Sequence, residues 1–254
     1  MPAPPSALRR PAGLAAPSPR KHSGRRVLAM LVGLVLISSG CALSRLQTAA
    51  SLARNAQPLQ ADPPGAIHRL LIVGDSTGVG TGASTPSHSV AGWIASRHPD
   101  WRIENRARSG AKCEALPAQL EGASPQDTVL IMCGSHDVLR LTGRDELHDS
   151  LLAATHQAAR IAPRVILMPP GNIGNIPLLF APFSWWMTER SRDLHDIGKA
   201  VARESGALYV DLFREREDDP FAREPERMHA ADGLHPGDAG YALWADALRR
   251  EAGV

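Results

Sequence analysis

Short apolar runs alternate with helical periodicities through most of the chain, from about residue 68 to the C-terminus. The apolar runs lie at Arg69–Val73, Trp101–Arg106, Thr128–Cys133, Arg164–Met168 and Ala207–Leu212. Between them, apolar residues recur at three- and four-residue spacing, as at Leu147, Leu151, Ala154 and Ala158, which is one face of a helix. Strands that alternate with helices indicate a parallel sheet covered on both faces. The pattern predicts an α/β fold, a three-layer α/β/α sandwich with a central parallel sheet of about five strands.

The N-terminal segment has a different pattern. Val27–Ile37 is an unbroken apolar run that follows two arginines and leads into Ser38-Ser39-Gly40-Cys41. A basic stretch, a short apolar segment and small residues are typical of an export signal. Small residues that end at a cysteine also resemble the lipobox of bacterial lipoproteins, which implies cleavage before Cys41 and lipid attachment to its thiol.

Two other interpretations of this segment stay open. Val27–Leu43 is uncharged over 17 residues, close to the lower limit for a membrane-spanning helix, so it also suits an uncleaved signal anchor. Cleaved secretion is the third possibility. All three place the folded domain at the periplasmic or extracellular face, and the first two attach it to the membrane.

These patterns divide the chain into three parts. Residues 1–41 are expected to be an export signal or membrane anchor with a disordered basic N-terminus, residues 42–66 a flexible tether, and residues 67–254 the folded domain. Residues 1–41 carry six of the 28 basic residues and none of the 26 acidic ones, which leaves a net charge of −4 on the remainder. A mildly acidic domain without a basic stripe argues against a nucleic-acid partner.

Polar, glycine-containing segments follow three of the predicted strands and precede the last helix. They are Gly74-Asp75-Ser76-Thr77-Gly78, Ser109-Gly110-Ala111, Cys133-Gly134-Ser135-His136-Asp137 and Asp232-Gly233-Leu234-His235. Ligands of parallel sheets bind beyond the carboxyl ends of the strands. We therefore expect the four segments to meet at one edge of the sheet.

Together these segments resemble the blocks of the SGNH, or GDSL, esterase and lipase family, from about Leu70 to the C-terminus. Gly74, Asp75 and Ser76 match the family's Gly-Asp-Ser block, and Gly110 matches its second block. Residues 134–137 stand where the family has Gly-x-Asn-Asp, and residues 232–235 match Asp-x-x-His. The resemblance implies a flavodoxin-like hydrolase fold and a serine esterase without a cofactor. Gly74-x-Ser76-x-Gly78 also fits the nucleophile elbow of α/β-hydrolases, but that elbow follows several strands rather than the first.

The resemblance implies a role for each residue. Ser76 is the nucleophile, His235 its general base, and Asp232 the carboxylate that orients the imidazole. The backbone N–H groups of Ser76 and Gly110 are expected to form the oxyanion hole, with His136 where the family has asparagine. This exchange allows a replacement donor, a weakened enzyme or a non-catalytic relative. We favour the replacement donor, because the triad residues remain.

Other chemistries find less support. The glycines at residues 78–82 are not followed by Gly-Lys-Ser/Thr, which argues against a phosphate loop. The ten histidines include no His-Glu-x-x-His arrangement, so neither a metal nor a cofactor is expected. Cys113 and Cys133 lie near strand ends predicted to be neighbours, and a disulfide and two free thiols are both compatible with the sequence.

The substrate side of the site is less defined. Leu178–Trp186 is the richest apolar segment outside the strands, and it follows Asn172. Asn172, Phe183 and Trp185 are candidate substrate-binding residues, although this segment also suits helix packing or membrane contact. Short acyl esters, lysophospholipids and O-acetylated sugars all suit such a site. A membrane-tethered binding protein and an acyltransferase are the alternative functions.

Overall fold

The structure is a computed structural model and describes residues 43–254. The expected export signal and the candidate lipidation site Cys41 lie outside the described residues. Within residues 43–254, every helix is too short or too polar to cross a bilayer.

Five parallel strands form one sheet in the order β2-β1-β3-β4-β5. The strands are β1 His68–Gly74, β2 Trp101–Asn105, β3 Thr128–Met132, β4 Arg164–Leu167 and β5 Leu208–Tyr209. In the register of the central strands, Leu70 of β1 lies beside Ile103 of β2 and Thr128 of β3. The predicted parallel sheet is confirmed, but β5 has two residues rather than the predicted six. Strand β5 is short because its partner β4 ends at Leu167. The carbonyl of Leu167 accepts the last hydrogen bond between the two segments, from the N–H of Val210.

Helices cover both faces of this sheet. They are α1 at 43–55, α2 Ser76–Val79, α3 Val90–Arg97, α4 Leu116–Leu120, α5 Ser135–Leu139, α6 Arg144–Ile161, α7 Phe183–Ser205, α8 Pro220–Arg223, α9 Pro225–Met228 and α10 Asp238–Ala252. Single 3-10 turns occur at Pro86–His88, Cys113–Ala115 and Ile173–Asn175. The connections between parallel strands therefore carry the helices that the apolar periodicity predicts.

The core has two halves, one on each face of the sheet. Because side chains alternate along a strand, Leu71 and Val73 of β1 face α4, α6 and α7, whereas Leu70 and Ile72 face α3 and α10. All four side chains are 0% exposed. Burial on both faces explains why the strands are continuous apolar runs. The three-layer sandwich is confirmed.

The structure differs from the expected flexible tether at residues 42–66. Residues 43–55 are helical, and the side chain of Gln60 bonds both the N–H and the C=O of Asn105. Ala61 forms an antiparallel bridge with Ile103 of β2. Alanine, leucine, arginine and glutamine are strong helix formers, and the edge of β2 offers unpaired backbone groups to the chain that follows. Part of this segment therefore has a defined place on the domain.

Candidate active site

The turn after β1 depends on a glycine at its start. Gly74 has φ 152°, and a Cβ there would lie 1.9 Å from the carbonyl oxygen of Met132 in β3. The side chain of Gln119 bonds both backbone groups of Gly74, at 2.7 and 2.9 Å. This close approach of β1 to β3 sets the direction in which the chain enters α2, whose first residue is Ser76.

Asp75 connects the turn after β1 to the turn after β3. One carboxylate oxygen accepts hydrogen bonds from the N–H and hydroxyl of Thr77, at 2.9 and 2.7 Å. The other accepts the N–H of Ser135 at 3.0 Å. Asp75 is 0% exposed, and each of its carboxylate oxygens bonds to one of the two turns, which holds them together. Ser76 is fixed between them.

Ser76, His235 and Asp232 form a continuous hydrogen-bonded chain. His235 Nε2 lies 3.1 Å from Ser76 Oγ, and His235 Nδ1 lies 2.6 Å from Asp232 Oδ2. A carboxylate can only accept, so Nδ1 carries the proton and Nε2 presents its lone pair to the Ser76 hydroxyl. The residues predicted as nucleophile, base and carboxylate are therefore brought together, although Ser76 and His235 are 159 positions apart.

Asp232 is held in its ionised form. Its side chain is 0% exposed, and burial by itself favours the neutral acid. Hydrogen bonds from His235 and from the N–H of Leu234 outweigh this burial, and they lower the pKa of Asp232 below its ordinary value. The carboxylate can therefore stabilise a proton on the His235 ring at neutral pH.

The expected oxyanion donors line the cavity that contains Ser76. Gly110 lines the same cavity with φ 85°, and no atom of the described residues lies within 4 Å of the position of an added Cβ. His136 also lines the cavity, in the first turn of α5. Burial, with Arg140 and His235 nearby, lowers the pKa of His136 although Asp75 opposes this. The His136 ring is therefore neutral at neutral pH and has one N–H to donate.

Asn105 and Asp137 support these segments. The side chain of Asn105 donates to the carbonyl of Gly78 at 2.8 Å and accepts the N–H of Ala107 at 3.1 Å. Asp137 Oδ2 accepts the N–H of Cys113 at 3.0 Å. Both side chains are buried: Asn105 ties the end of β2 to the chain after its neighbour β1, and Asp137 ties the chain after β3 to the chain after β2.

A cavity of about 470 Å³ extends from Ser76 along the carboxyl edge of the sheet. Its apolar lining includes Leu139, Ile173, Ile176 and Leu234. Near the end of β5, the cavity is lined by charged residues, namely Asp211, Arg214, Asp218 and Asp219. The cavity therefore offers both apolar and charged surroundings to a ligand whose reacting atom sits at Ser76.

The candidate substrate-binding residues differ in their positions. Asn172 lines the cavity, but its amide accepts the N–H of Gly174 at 2.9 Å and donates to the carbonyl of Arg214 at 3.2 Å. Phe183 and Trp185 are 44% and 68% exposed and lie outside the cavity lining, so the structure contradicts their expected role. The buried face of α7 begins at Ser184 and Met187, which turns positions 183 and 185 to solvent.

The two cysteines near the site are free thiols. Cys113 and Cys133 are buried, and their sulfurs lie within 4.8 Å of each other and of an Asp137 oxygen. Burial raises the pKa of Cys113 well above its ordinary value, and it raises the pKa of Cys133 to about 11. One Asp137 oxygen accepts the N–H of Cys113, so this cluster joins the chain after β2 to the chain after β3.

Sequence reasoning missed one wall of the cavity. Ala49, Ala50 and Ala53 of α1 line it, within the segment expected to be a tether. The signal was present, because Leu46, Ala49, Ala50 and Ala53 follow the i, i+3, i+4, i+7 spacing of one helix face. Alanine is too weakly apolar for this spacing to stand out.

Comparisons with known proteins show which family this chain resembles. The model of the GDSL-like lipase/acylhydrolase family matches residues 72–243. The chain is 27% identical over 242 residues to the GDSL lipase Rv0518 of Mycobacterium tuberculosis, which covers 87% of this chain and 91% of that protein. It is 26% identical over 189 residues to the GDSL-like esterase Rv1075c of the same organism, covering 70% of this chain and 60% of that longer protein.

Among solved structures, an acetylxylan esterase from Geobacillus stearothermophilus is similar, with a TM-score of 0.54 and 26% identity. The match covers 75% of this chain and 96% of that enzyme. The arrangement of strands and helices is therefore shared over nearly the whole length of that enzyme.

Proposed function

This chain belongs to the GDSL-like lipase/acylhydrolase family and is an ester-hydrolysing enzyme, and we propose that it cleaves carboxylic esters with Ser76 as nucleophile, His235 as general base and Asp232 as the orienting carboxylate. The observation that carries this proposal is the hydrogen-bonded chain from Ser76 through His235 to Asp232.

The positions of the protons on Ser76 and His235 determine which group acts as the nucleophile and which as the base. His235 Nε2 takes the Ser76 proton as Oγ attacks the ester carbonyl, and the imidazolium is stabilised by Asp232. The same proton then goes to the leaving alcohol, which leaves an acyl group on Ser76. Water, deprotonated by His235, attacks this acyl-enzyme and releases the acid with the serine restored.

The oxyanion formed in each step needs donors that are already in place. The backbone N–H groups of Ser76 and Gly110 supply two, and the neutral His136 ring supplies the third. Removing one such donor costs about 100- to 1,000-fold in rate. His136 thus replaces the asparagine amide of the family pattern with a ring N–H.

A serine substitution tests the proposal on the full-length protein. Ser76→Ala should abolish hydrolysis of p-nitrophenyl acetate while its melting temperature stays that of the wild type. Ser96→Ala, an exposed serine on α3, is the matched control and should keep full activity. Substantial turnover in Ser76→Ala would overturn the proposal, and a wild type that binds esters without turnover would favour the tethered binding protein. Product analysis with competing alcohols separates hydrolysis from acyl transfer.

The ester itself is proposed only as a class. The names of similar proteins include a lipase and an acetylxylan esterase, so acyl lipids and O-acetylated sugars are both in the proposed range. A panel of acetyl sugars, lysophospholipids and p-nitrophenyl esters of different lengths ranks them by kcat/KM.

We also propose that the enzyme is exported and attached to a membrane through residues 27–43. The apolar run after Arg25 and Arg26, and its end at Cys41, support this. Cell fractionation tests it: Cys41→Ala should move a lipoprotein out of the membrane fraction, whereas an uncleaved anchor would stay there. Recovery of wild-type protein in the cytoplasm would overturn the proposal.

A further inference from the structure

Helix α1 forms a wall of the cavity that contains Ser76. Ala49, Ala50 and Ala53 line it with methyl groups alone, and Leu46 precedes them on the same helix face. The helix precedes residues 72–243, to which the family model is matched. It thus lies before the segments that carry the nucleophile and its base.

Apolar side chains line the part of the cavity next to α1. Arg45 of α1 contacts the carbonyl of Pro177, and it lies 3.2 Å from the position of a Cβ on Gly233. The neighbours of those two residues, Ile176 and Leu234, both line the cavity. Its charged lining belongs to the chain after β5, two strands beyond β3 in the sheet. The α1 end is thus apolar, and Phe221, Leu243 and Trp244 give the part after β5 apolar lining as well.

The reacting groups open into the same cavity as this wall. Ser76 and His235 both line it, and His235 Nε2 lies 3.1 Å from Ser76 Oγ. The cavity thus combines the reacting groups with an apolar wall, which suits an ester with an apolar chain.

We propose that α1 is an acyl-binding wall, along which the acyl chain of the ester lies while its carbonyl carbon faces Ser76. This inference rests on the proposed function. The chain contacts Ala53, Ala50 and Ala49 in turn and reaches Leu46, whose side chain is 52% exposed. A volume of about 470 Å³ is typical of sites for ligands much larger than an acetyl group. The preferred substrates are therefore esters of long acyl chains.

Two variants of α1 test the wall, with p-nitrophenyl dodecanoate and acetate as substrates of the full-length protein. Ala50→Phe fills the apolar end, and Leu46→Asp places a charge at its mouth. Each should lower the ratio of kcat/KM for dodecanoate to kcat/KM for acetate by about tenfold or more, the effect of two or more lost methylene contacts. Ser44→Asp is the matched control, because residues two apart on a helix face different sides.

The outcomes separate this inference from the proposed function. A selective loss of dodecanoate turnover in both variants, absent from Ser44→Asp, supports the wall. Equal losses on both esters, unchanged dodecanoate turnover, or the same selectivity in Ser44→Asp would overturn it. Failure of the proposed function has another signature, which is acetate turnover that survives Ser76→Ala.

Discussion

The turn that carries Ser76 and the helix α1 both line the cavity, but they are held in very different ways. All four residues of α2 are buried, and Asp75 and Gln119 fix the turn with hydrogen bonds to neighbouring segments. Among residues 43–55, only Ala49 is buried, and the bond from Arg45 to Pro177 is 3.5 Å long. Reacting groups need fixed geometry, whereas a wall that selects substrates can be attached loosely. Variants of the two regions test this difference.

The largest loss of activity is expected at Asp232, the buried end of the hydrogen-bonded chain that begins at Ser76. Asp232→Asn should lower kcat by about 10⁴-fold, because an amide no longer holds the proton on His235 Nδ1. The α1 variants described above should change acetate turnover far less. Steady-state kinetics on acetate esters measure both. A loss of less than about tenfold in Asp232→Asn would show that the carboxylate does not orient the base.

The next largest loss of activity is expected at His136, the expected oxyanion donor that stands where the family has asparagine. His136→Ala should lower kcat by about 100- to 1,000-fold, and His136→Asn should restore part of it. Because the pKa of His136 is lowered, its ring stays neutral above pH of about 6.5. The ratio of wild-type to His136→Asn activity should therefore be constant from that pH upward. A ratio that changes between pH 7 and 8 would show that the His136 ring titrates there and is not held neutral.

A smaller effect, on stability rather than activity, is expected when two glycines with positive φ are compared. Gly74→Ala places a methyl group against the Met132 carbonyl, whereas Gly122, with φ 65°, has open space around it among the described residues. Overpacking typically costs about 1–3 kcal/mol, so Gly74→Ala should be destabilised by that much relative to Gly122→Ala. Urea denaturation compares the two variants. Equal losses of stability would mean that the turn after β1 is not tightly constrained.

The smallest change in stability is expected for a substitution in α1. Ala53→Gly should lower the free energy of unfolding by no more than about 1 kcal/mol, because the substitution costs only helix propensity. Denaturation again measures it. A larger loss would show that α1 is part of the core, and the contrast with the Ser76 turn would then be wrong.

The sequence allowed prediction of the features that depend on local pattern. The strands were visible because burial on both faces demands unbroken apolar runs such as residues 70–73. The meeting of Ser76 with His235 followed from the rule that strand ends share one edge, together with the family resemblance. These features repeat along the chain or at strand ends, where sequence carries most information.

Other features depend on contacts that local pattern does not record. The side of α7 that faces solvent was set by Met187 and its buried neighbours, so the aromatic residues 183 and 185 were placed wrongly in the pocket. The helix at residues 43–55 has a face of alanines, whose small side chains give a weak periodic signal. The free state of Cys113 and Cys133 follows from three-dimensional packing alone.

In the proposed mechanism, His235 activates Ser76, which then forms an acyl-enzyme. A fluorophosphonate reaction with full-length protein, followed by mass spectrometry of its peptides, tests this step. We expect one adduct on the peptide that contains Ser76, and its absence in Ser76→Ala and His235→Ala proteins that melt like the wild type. An adduct on another serine, or unchanged labelling in His235→Ala, would contradict it.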